Sequence, residues 1–341
     1  MAFKKVRIND AVGMVLGHDM TKIVPGEYKG PAFKKGHIIL EEDIPHLLTI
    51  GKEHIYLLEL SDDQLHENES AQRLARAVSG ANTCYAEPSE GKVHIVAKQD
   101  GLLKVNRDAV TKINSVNYTV VSTLHGNRLV KAGETLAGVK VVPLVVDIDT
   151  IETVEKIASQ YQEIIAVKPL KSLKTGIITT GNEVFYGRIQ DRFGPVLQEK
   201  IETYQASFGG ITYQPDNTAA ITEAILEHVK AGAQVIVVTG GMSVDPDDVT
   251  PDAIRATGAE VITYGTPVLP GAMFMLAYLD DVAILGLPAC GMFSKITVFD
   301  LVFPRILAGD RLSKLDFAEM GYGGLCLGCT ECSYPRCPFG K

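Results

Sequence analysis

The chain has no tryptophan and few aromatic residues of any kind (7%), so its cores are expected to be aliphatic. No stretch of eighteen or more apolar residues occurs, which excludes a membrane-spanning helix. The opening MAFKKVRINDAVG lacks the apolar run of a secretory signal, and the cytoplasm is the expected compartment. A basic surplus is also missing. The formal charge is −8, which argues against nonspecific nucleic-acid binding, because that needs a cationic face. An anion site built from backbone N–H groups stays open to such a chain. The eight histidines are scattered without an HxxxH or Cys–His spacing, so each is read as a surface or core residue. Neither a P-loop nor a GxGxxG fingerprint is present.

The 341 residues exceed one ordinary core, and they divide into three regions and a tail. Residues 1–60 read as short strands around a Pro25–Gly26 turn, with one short helix from about Asp43. Residues 61–170 begin with a connecting helix in SDDQLHENESAQRLARAVSG and end with a second helix over 151–163. Between them, from 85 to 148, KVHIVAK, GLLKVN, NYTVVSTL, RLVKAG and KVVPLVVD are short, β-branched and separated by turn residues, so this part reads as all-β.

From 171 to 312 the rhythm changes to alternating strands and helices, the pattern of an α/β domain with a three-layer, mostly parallel sheet. KTGIITT, GGITYQP, QVIVVTGG, EVITYG, MFMLAYL and DVAILGL are the expected strands. Helices are expected from about Pro195, from Asn217 to Gly232, from a Thr250 cap to Gly258, and from about Met292. Ligands of such sheets bind where strand ends open into loops. Three loops with unusual chemistry fall there: TTGNE, GGMSVDPDD and LPACG.

In TGGMSVDPDDVTPDA, Gly240–Gly241 follow a buried strand. Glycine there allows either a tight turn or a close backbone approach to an anion such as a phosphate. The nearby acids differ in role. Asp252 falls in the first helical turn and suits the helix dipole, while Asp245 and Asp247 flank Pro246 as a solvated turn. Asp248, just before Val249 and Thr250, faces back towards the glycines, where a carboxylate can hold Mg²⁺ bridged to phosphate. Asp216 ends another strand and is expected to converge on Asp248, with Glu183 at a third strand end. Helix-start acids are the plainer alternative for both.

At these residues the chain resembles the molybdopterin-binding family, which includes molybdopterin adenylyltransferases, molybdenumtransferases and gephyrin-like fusions of the two. TGG followed by DVTPDA is close to the adenylyltransferase pattern, whereas TTGNEV and GGMSV are more similar to the molybdenumtransferase. INDAVGMVLGHDMT and KKGHIILEEDIPHLLTIG faintly resemble the latter's leading segment. The resemblance implies a pterin dithiolene with its phosphate or adenylate lying across the loops, together with Mg²⁺. It assigns catalytic weight to Asp216, Asp248 and Glu183, and ligand contacts to Thr180, Gly181, Asn182, Gly240, Gly241, Ser243, Thr250, Pro270, Gly271 and Pro288. Two loops depart from the family pattern. Leu269 and Ala272 flank Pro270–Gly271 where lysines usually hold anions, and an LPGNP-type loop reads LPACG at Leu287–Gly291. The loss of two cations removes charge-assisted contacts from an oxyanion site.

Six cysteines are present. Cys84 and Cys290 stand alone, and Cys290 reads as a small buried residue. Cys326, Cys329, Cys332 and Cys337 crowd the tail 313–341 with spacing C-x₂-C-x₂-C-x₄-C, enough to close around one soft metal centre. Zinc and [4Fe–4S] both suit this spacing; zinc is placed first because no second cysteine run occurs. A tail without metal is the plainer alternative.

The expected function is molybdenum-cofactor biosynthesis: binding of molybdopterin or its adenylate, with Mg²⁺-dependent molybdate insertion and AMP release. A non-catalytic cofactor carrier or sensor that docks on a molybdoenzyme or another biosynthetic protein is the alternative. An adenylyltransferase or other nucleotide-cleaving enzyme is the third. The resemblance also implies a homodimer.

Overall fold

A computed structural model of the protein describes residues 3–24, 27–58, 61, 63–89 and 91–340. The chain divides into two compact units, Met1–Leu124 with Val130–Val167, and His125–Leu129 with Lys168–Lys341. None of the described helices is long and apolar enough to cross a membrane.

The first unit has two cores. Strands Phe3–Arg7 and His54–Leu58 pair antiparallel, as do Met20–Val24 and Tyr28–Phe33. Ile8, Leu16, Met20, Ile39, Leu47 and Ile55 form the first core, and Leu47 is supplied by the helix Asp43–Thr49. The expected Pro25–Gly26 turn lies outside the described residues.

The second core sits on an antiparallel sheet of Thr83–Tyr85, Lys92–Ala97, Thr135–Val141 and Thr119–Thr123, in that order. Its strands alternate buried and solvated positions, as one-faced burial requires. Helix Glu67–Val78 lies in the expected first connector, and Ile148–Ala158 begins and ends earlier than the expected 151–163. A third helix, Arg107–Asn114, corrects the all-β reading of 85–148. The Asn106 side chain accepts from the Ala109 amide at 3.0 Å, and this cap turns a short β-branched stretch into a helix that buries Ala109 and Ile113.

The second unit is built on six strands: β1 (Lys174–Thr180), β2 (Ser207–Gln214), β3 (Val235–Thr239), β4 (Glu260–Tyr264), β5 (Met275–Leu279) and β6 (Val282–Leu287). They stand in the order β2-β1-β3-β6-β5-β4. The four strands from β2 to β6 are parallel neighbours, but β5 runs antiparallel to both β6 and β4. The sheet is therefore mixed: five strands run one way, and β5 alone is reversed. The reason is local. Leu279 pairs with Val282 across a two-residue Asp280–Asp281 turn, and Asp280 takes φ 51°, so MFMLAYL and DVAILGL fold as a hairpin without a crossover helix.

Helices α1 (Asn182–Phe185), α2 (Phe193–Thr203), α3 (Thr218–Lys230), α4 (Thr250–Ala256), α5 (Cys290–Phe293), α6 (Val298–Leu307) and α7 (Lys314–Glu319) complete the unit. Asn217 caps α3 as expected, its side chain accepting from the Ala220 amide at 3.0 Å. The helix expected from Met292 is instead two pieces. Thr297 and Asp300 form a capping box that starts α6 afresh. Buried side chains fill both faces of the sheet, with Leu197, Val237, Phe299 and Phe303 in one layer and Ile221, Ile236, Ile254 and Ile284 in the other.

Candidate functional site

Strand register places the loops named above on one edge of the sheet. Thr180 pairs with Gln214, Thr179 with Thr239, and Thr239 with Leu287. The segments that leave β1, β2, β3 and β6 therefore open side by side at the carboxyl ends of parallel strands.

The glycine loop after β3 is held from below. Gly240 has φ 87°, and a side chain there would meet the Thr180 carbonyl oxygen at 2.6 Å, so neither conformation nor space admits another residue. Gly241 also lies in the left-handed region, at φ 54°. The Thr250 hydroxyl donates to the Gly240 carbonyl at 2.8 Å, and the Thr250 amide donates to the Gly241 carbonyl at 3.2 Å. Thr250 was expected to cap α4, but its side chain reaches back to the loop, and Val249 takes the cap position without a side-chain bond. The C=O and N–H of a peptide point in opposite directions. Tying the two carbonyls to Thr250 thus turns the N–H groups of Gly241 and Met242 away from α4. Tyr264, at the end of β4, holds the next turn: its hydroxyl donates to Met242 O at 3.1 Å and to Ser243 O at 3.4 Å. Burial raises the pKa of this phenol against the pull of Arg255, and the charges of Asp248 and Asp252 add to the rise. Just before the glycines, the buried Thr239 hydroxyl meets no partner among the described residues.

Each of the three acids has a contact close by in the fold. An Asp216 carboxylate oxygen accepts the Asn182 amide at 2.9 Å, and the Asp216 amide lies 3.4 Å from the Asn182 side-chain oxygen, so this reciprocal pair joins the ends of β1 and β2. Asp248 turns onto its own loop, accepting the Asp245 amide at 3.1 Å. Glu183 folds over Gly181 and is exposed. Among the described residues, no group of three or more His, Cys, Asp or Glu side chains forms a metal-ligand set. Asp216 and Asp248 each accept one nearby backbone amide, at 2.9 and 3.1 Å.

Pro270 and Gly271 stand apart from this group. The Thr266 hydroxyl donates to Gly271 O at 3.1 Å, and Val298, the first residue of α6, donates to Pro270 O at 3.3 Å. The same loop pairs with the tail through a parallel bridge, Leu269 with Leu325. A cavity of about 440 Å³ lies here, lined by Pro270, Lys295, Cys326, Cys329, Cys332 and Cys337 among others. Pro288 accepts the Gly291 amide at 3.0 Å and opens α5. Burial pushes the neighbouring Cys290 thiol up, which keeps it neutral.

Two features of this edge escaped the sequence reading. Asp191 accepts the amides of Phe193 at 2.7 Å and Gly194 at 3.2 Å, so it is the acid that starts α2. The Thr179 hydroxyl lies 3.4 Å from the same carboxylate. The signal was an acid two residues before the Phe-Gly-Pro run. Tyr264 had no local signal, because it reaches Met242 only through the pairing of β4 with β5, which returns β4 to the direction of β3.

Residues 176–308 match a family described as a probable molybdopterin binding domain, and residues 5–59 match a domain of unknown function (DUF8806). A 92-residue stretch is 33% identical to the CinA-like protein of Mycobacterium tuberculosis, over 27% of this chain and 21% of that one. The chain thus spans about a fifth of the length of that curated relative. Among solved structures, it resembles the tungsten cofactor synthesizing protein MoaB from Pyrococcus furiosus at 20% identity and a TM-score of 0.35, over 42% of this chain and 99% of that one. It also resembles the molybdopterin biosynthesis MoeA protein from Pyrococcus horikosii at 15% identity and a TM-score of 0.35, over 72% and 79%.

Proposed function

We propose, for a chain whose residues 176–308 belong to the molybdopterin-binding domain family, that the second unit binds molybdopterin or its adenylate, with the phosphate seated on the Gly240–Ser243 loop. The observation that carries this reading is the double tether of the Gly240 and Gly241 carbonyls to Thr250, which aims the following N–H groups away from α4. Preorganised amides of this kind hold an anion without any cationic side chain, which suits a chain of net charge −8. The unspent Thr239 hydroxyl at the same strand end is a further donor beside the loop.

In this reading Thr180, Gly181 and Asn182 form the neighbouring wall, and Asp216 fixes that wall through the Asn182 amide. Asp248, whose carboxylate accepts the Asp245 amide in the same loop, is in this reading the acid that acts on the phosphate end of the ligand. The finer reading is release of AMP from adenylated pterin coupled to molybdate insertion. Its Mg²⁺ requirement rests on the family resemblance alone. Among the described residues, no group of three or more His, Cys, Asp or Glu side chains forms a ligand set for the ion.

The test is anaerobic titration of the full chain with molybdopterin and with its adenylate, followed by assay of AMP release with and without Mg²⁺ and molybdate. Asp248→Ala is expected to retain binding and lose AMP release. Equal AMP release by Asp248→Ala would remove the catalytic assignment, and absence of pterin binding would remove the reading altogether.

A carrier or sensor role is the second reading, favoured by one observation. Leu269 and Ala272 bring no charge to the Pro270–Gly271 loop, and that loop is bonded to the tail. Tight pterin binding without AMP release or metal insertion supports it. Turnover of ATP without pterin would instead indicate a nucleotide-cleaving enzyme.

A further inference from the structure

Among the described residues, the tail from Leu325 to Gly340 has no helix or strand beyond the single bridge residue Leu325, yet it is held in place. The Cys326 amide donates to Leu269 O at 2.8 Å, and the Gly340 amide donates to Gly323 O at 2.9 Å. Phe339 is 3% exposed and belongs to the core of the second unit, and Tyr334, Cys326 and Cys337 pack against that core. The Tyr334 and Phe339 rings meet edge to face at 6.5 Å.

All four cysteines of this irregular segment line the cavity of about 440 Å³. The lining includes Lys295 but no aspartate or glutamate. Thiolates without carboxylates select soft metals over Mg²⁺ or Ca²⁺. A zinc site would draw four sulfurs to about 2.3 Å from one point and leave no space between them. Among the described residues, no three cysteines converge in that way. All four line one cavity of about 440 Å³, larger than a single ion needs, and a cubane is held by thiolates spread around such a space.

We propose that Cys326, Cys329, Cys332 and Cys337 ligate a [4Fe–4S] cluster in this cavity. Loading by a preformed cluster is a ligand exchange. Each cysteine S–H gives its proton to the small thiolate it displaces, one Fe–S bond forms as another breaks, and no electron changes hands. With a 2+ core, the bound cluster and its four thiolates carry two negative charges, and Lys295 lines the same cavity. The site stands independently of pterin binding and shares with that reading only the wall at Pro270.

The experiment uses the full chain, purified anaerobically and titrated with a synthetic [4Fe–4S] cubane bearing small thiolate ligands. A parallel sample receives zinc first. The expected result is one cluster per chain, read as four iron and four sulfide, with a brown visible absorption that bleaches on reduction. Cys329→Ser and Cys332→Ser, both at exposed positions, are expected to lose at least half of the cluster while keeping the far-ultraviolet dichroism of the parent. Cys84→Ser, outside the tail, is expected to load fully. No uptake by the parent overturns the proposal, as does undiminished uptake by the Cys329→Ser/Cys332→Ser double variant. Stoichiometric zinc that blocks cluster uptake overturns it in favour of a zinc site.

Discussion

The amide of Cys326 donates to the carbonyl of Leu269 at 2.8 Å, and the amide of Leu269 donates to the carbonyl of Gly324 at 2.8 Å. This pair of bonds makes the first tail cysteine an extension of the Leu269–Gly271 loop. In the family pattern that loop carries lysines for an anion; in this chain it carries the attachment of a thiol-lined cavity. Both bonds use main-chain atoms, so they are independent of the thiol itself.

The attachment depends on Gly324. A side chain there would meet the carbonyl oxygens of Met320 and Pro267, both at 2.5 Å, and neither is the end of a flexible side chain. Gly324→Ala is expected to open the pairing and to speed hydrogen exchange at the Leu269 and Cys326 amides about tenfold, equivalent to roughly 1.4 kcal/mol. Cys326→Ser should leave exchange at both amides unchanged. Unaltered exchange in Gly324→Ala would show that the backbone pairing does not depend on that close approach.

The Thr250 tether gives a second prediction. Thr250→Val keeps the shape but removes the hydroxyl that donates to Gly240 O at 2.8 Å and lies 3.4 Å from the Thr180 hydroxyl. A half-buried carbonyl left without its donor costs on the order of 1 kcal/mol, so a lower denaturation midpoint is expected. Pterin phosphate affinity should fall with it by about tenfold, since the loop amides lose their fixed aim. Thr250→Ser restores the hydroxyl and is expected to restore both. Loss of stability without loss of affinity would separate the tether from the anion seat.

The strands and loops of the second unit were legible because their signals are local: buried β-branched runs, glycines at strand ends, and Asn217 before its helix. The errors have longer-range causes. Arg107–Asn114 was hidden by its β-branched residues, although Asn106 offered a cap. The antiparallel β5 depends on a two-aspartate turn that could equally have closed a loop. Asp216 and Asp248 each sit at the expected edge, but their partners, Asn182 and Asp245, are fixed by backbone geometry that residue types do not encode. The fold's outline was therefore readable, and the amide that each acid accepts was not.

Stability of the first unit should depend on pH through His66. Its Nε2 lies 2.8 Å from Gly17 O, its Nδ1 accepts the Asn68 amide at 3.1 Å, and the residue is 2% exposed. Burial, with a smaller contribution from Lys35, lowers its pKa to about 4. The unfolded chain therefore binds the proton first as pH falls. The stabilisation is fully present above the unfolded pKa of about 6.5 and is lost progressively as pH falls towards about 4. The loss is at most about 3 kcal/mol. His66→Asn retains an acceptor for the Asn68 amide and is expected to flatten denaturation midpoints between these limits. An unchanged slope would place the titrating group elsewhere.

The last prediction concerns the charge pair beneath α6. Lys200 Nζ lies 2.6 Å from Asp300 Oδ2, with the two side chains 15% and 2% exposed. The same carboxylate accepts the Tyr204 hydroxyl at 3.0 Å and the Thr297 amide at 2.8 Å. Burial and the Asp300 charge raise the Tyr204 phenol far above its ordinary value, so it remains a donor at any working pH. Removing one partner of a buried pair strands the other, at a cost of roughly 3–5 kcal/mol. Asp300→Ala strands Lys200 and Tyr204 and also breaks the capping box, so it is expected to be the worst single change in this layer. Lys200→Met leaves Asp300 with its hydroxyl and amide donors and should cost less. In Lys200→Met/Asp300→Leu no charge is left behind, and the double variant is expected to recover part of the loss. Thermal or denaturant midpoints of the three variants test this order, and a double variant no better than Asp300→Ala would assign the cost to the helix cap and not to the stranded charge.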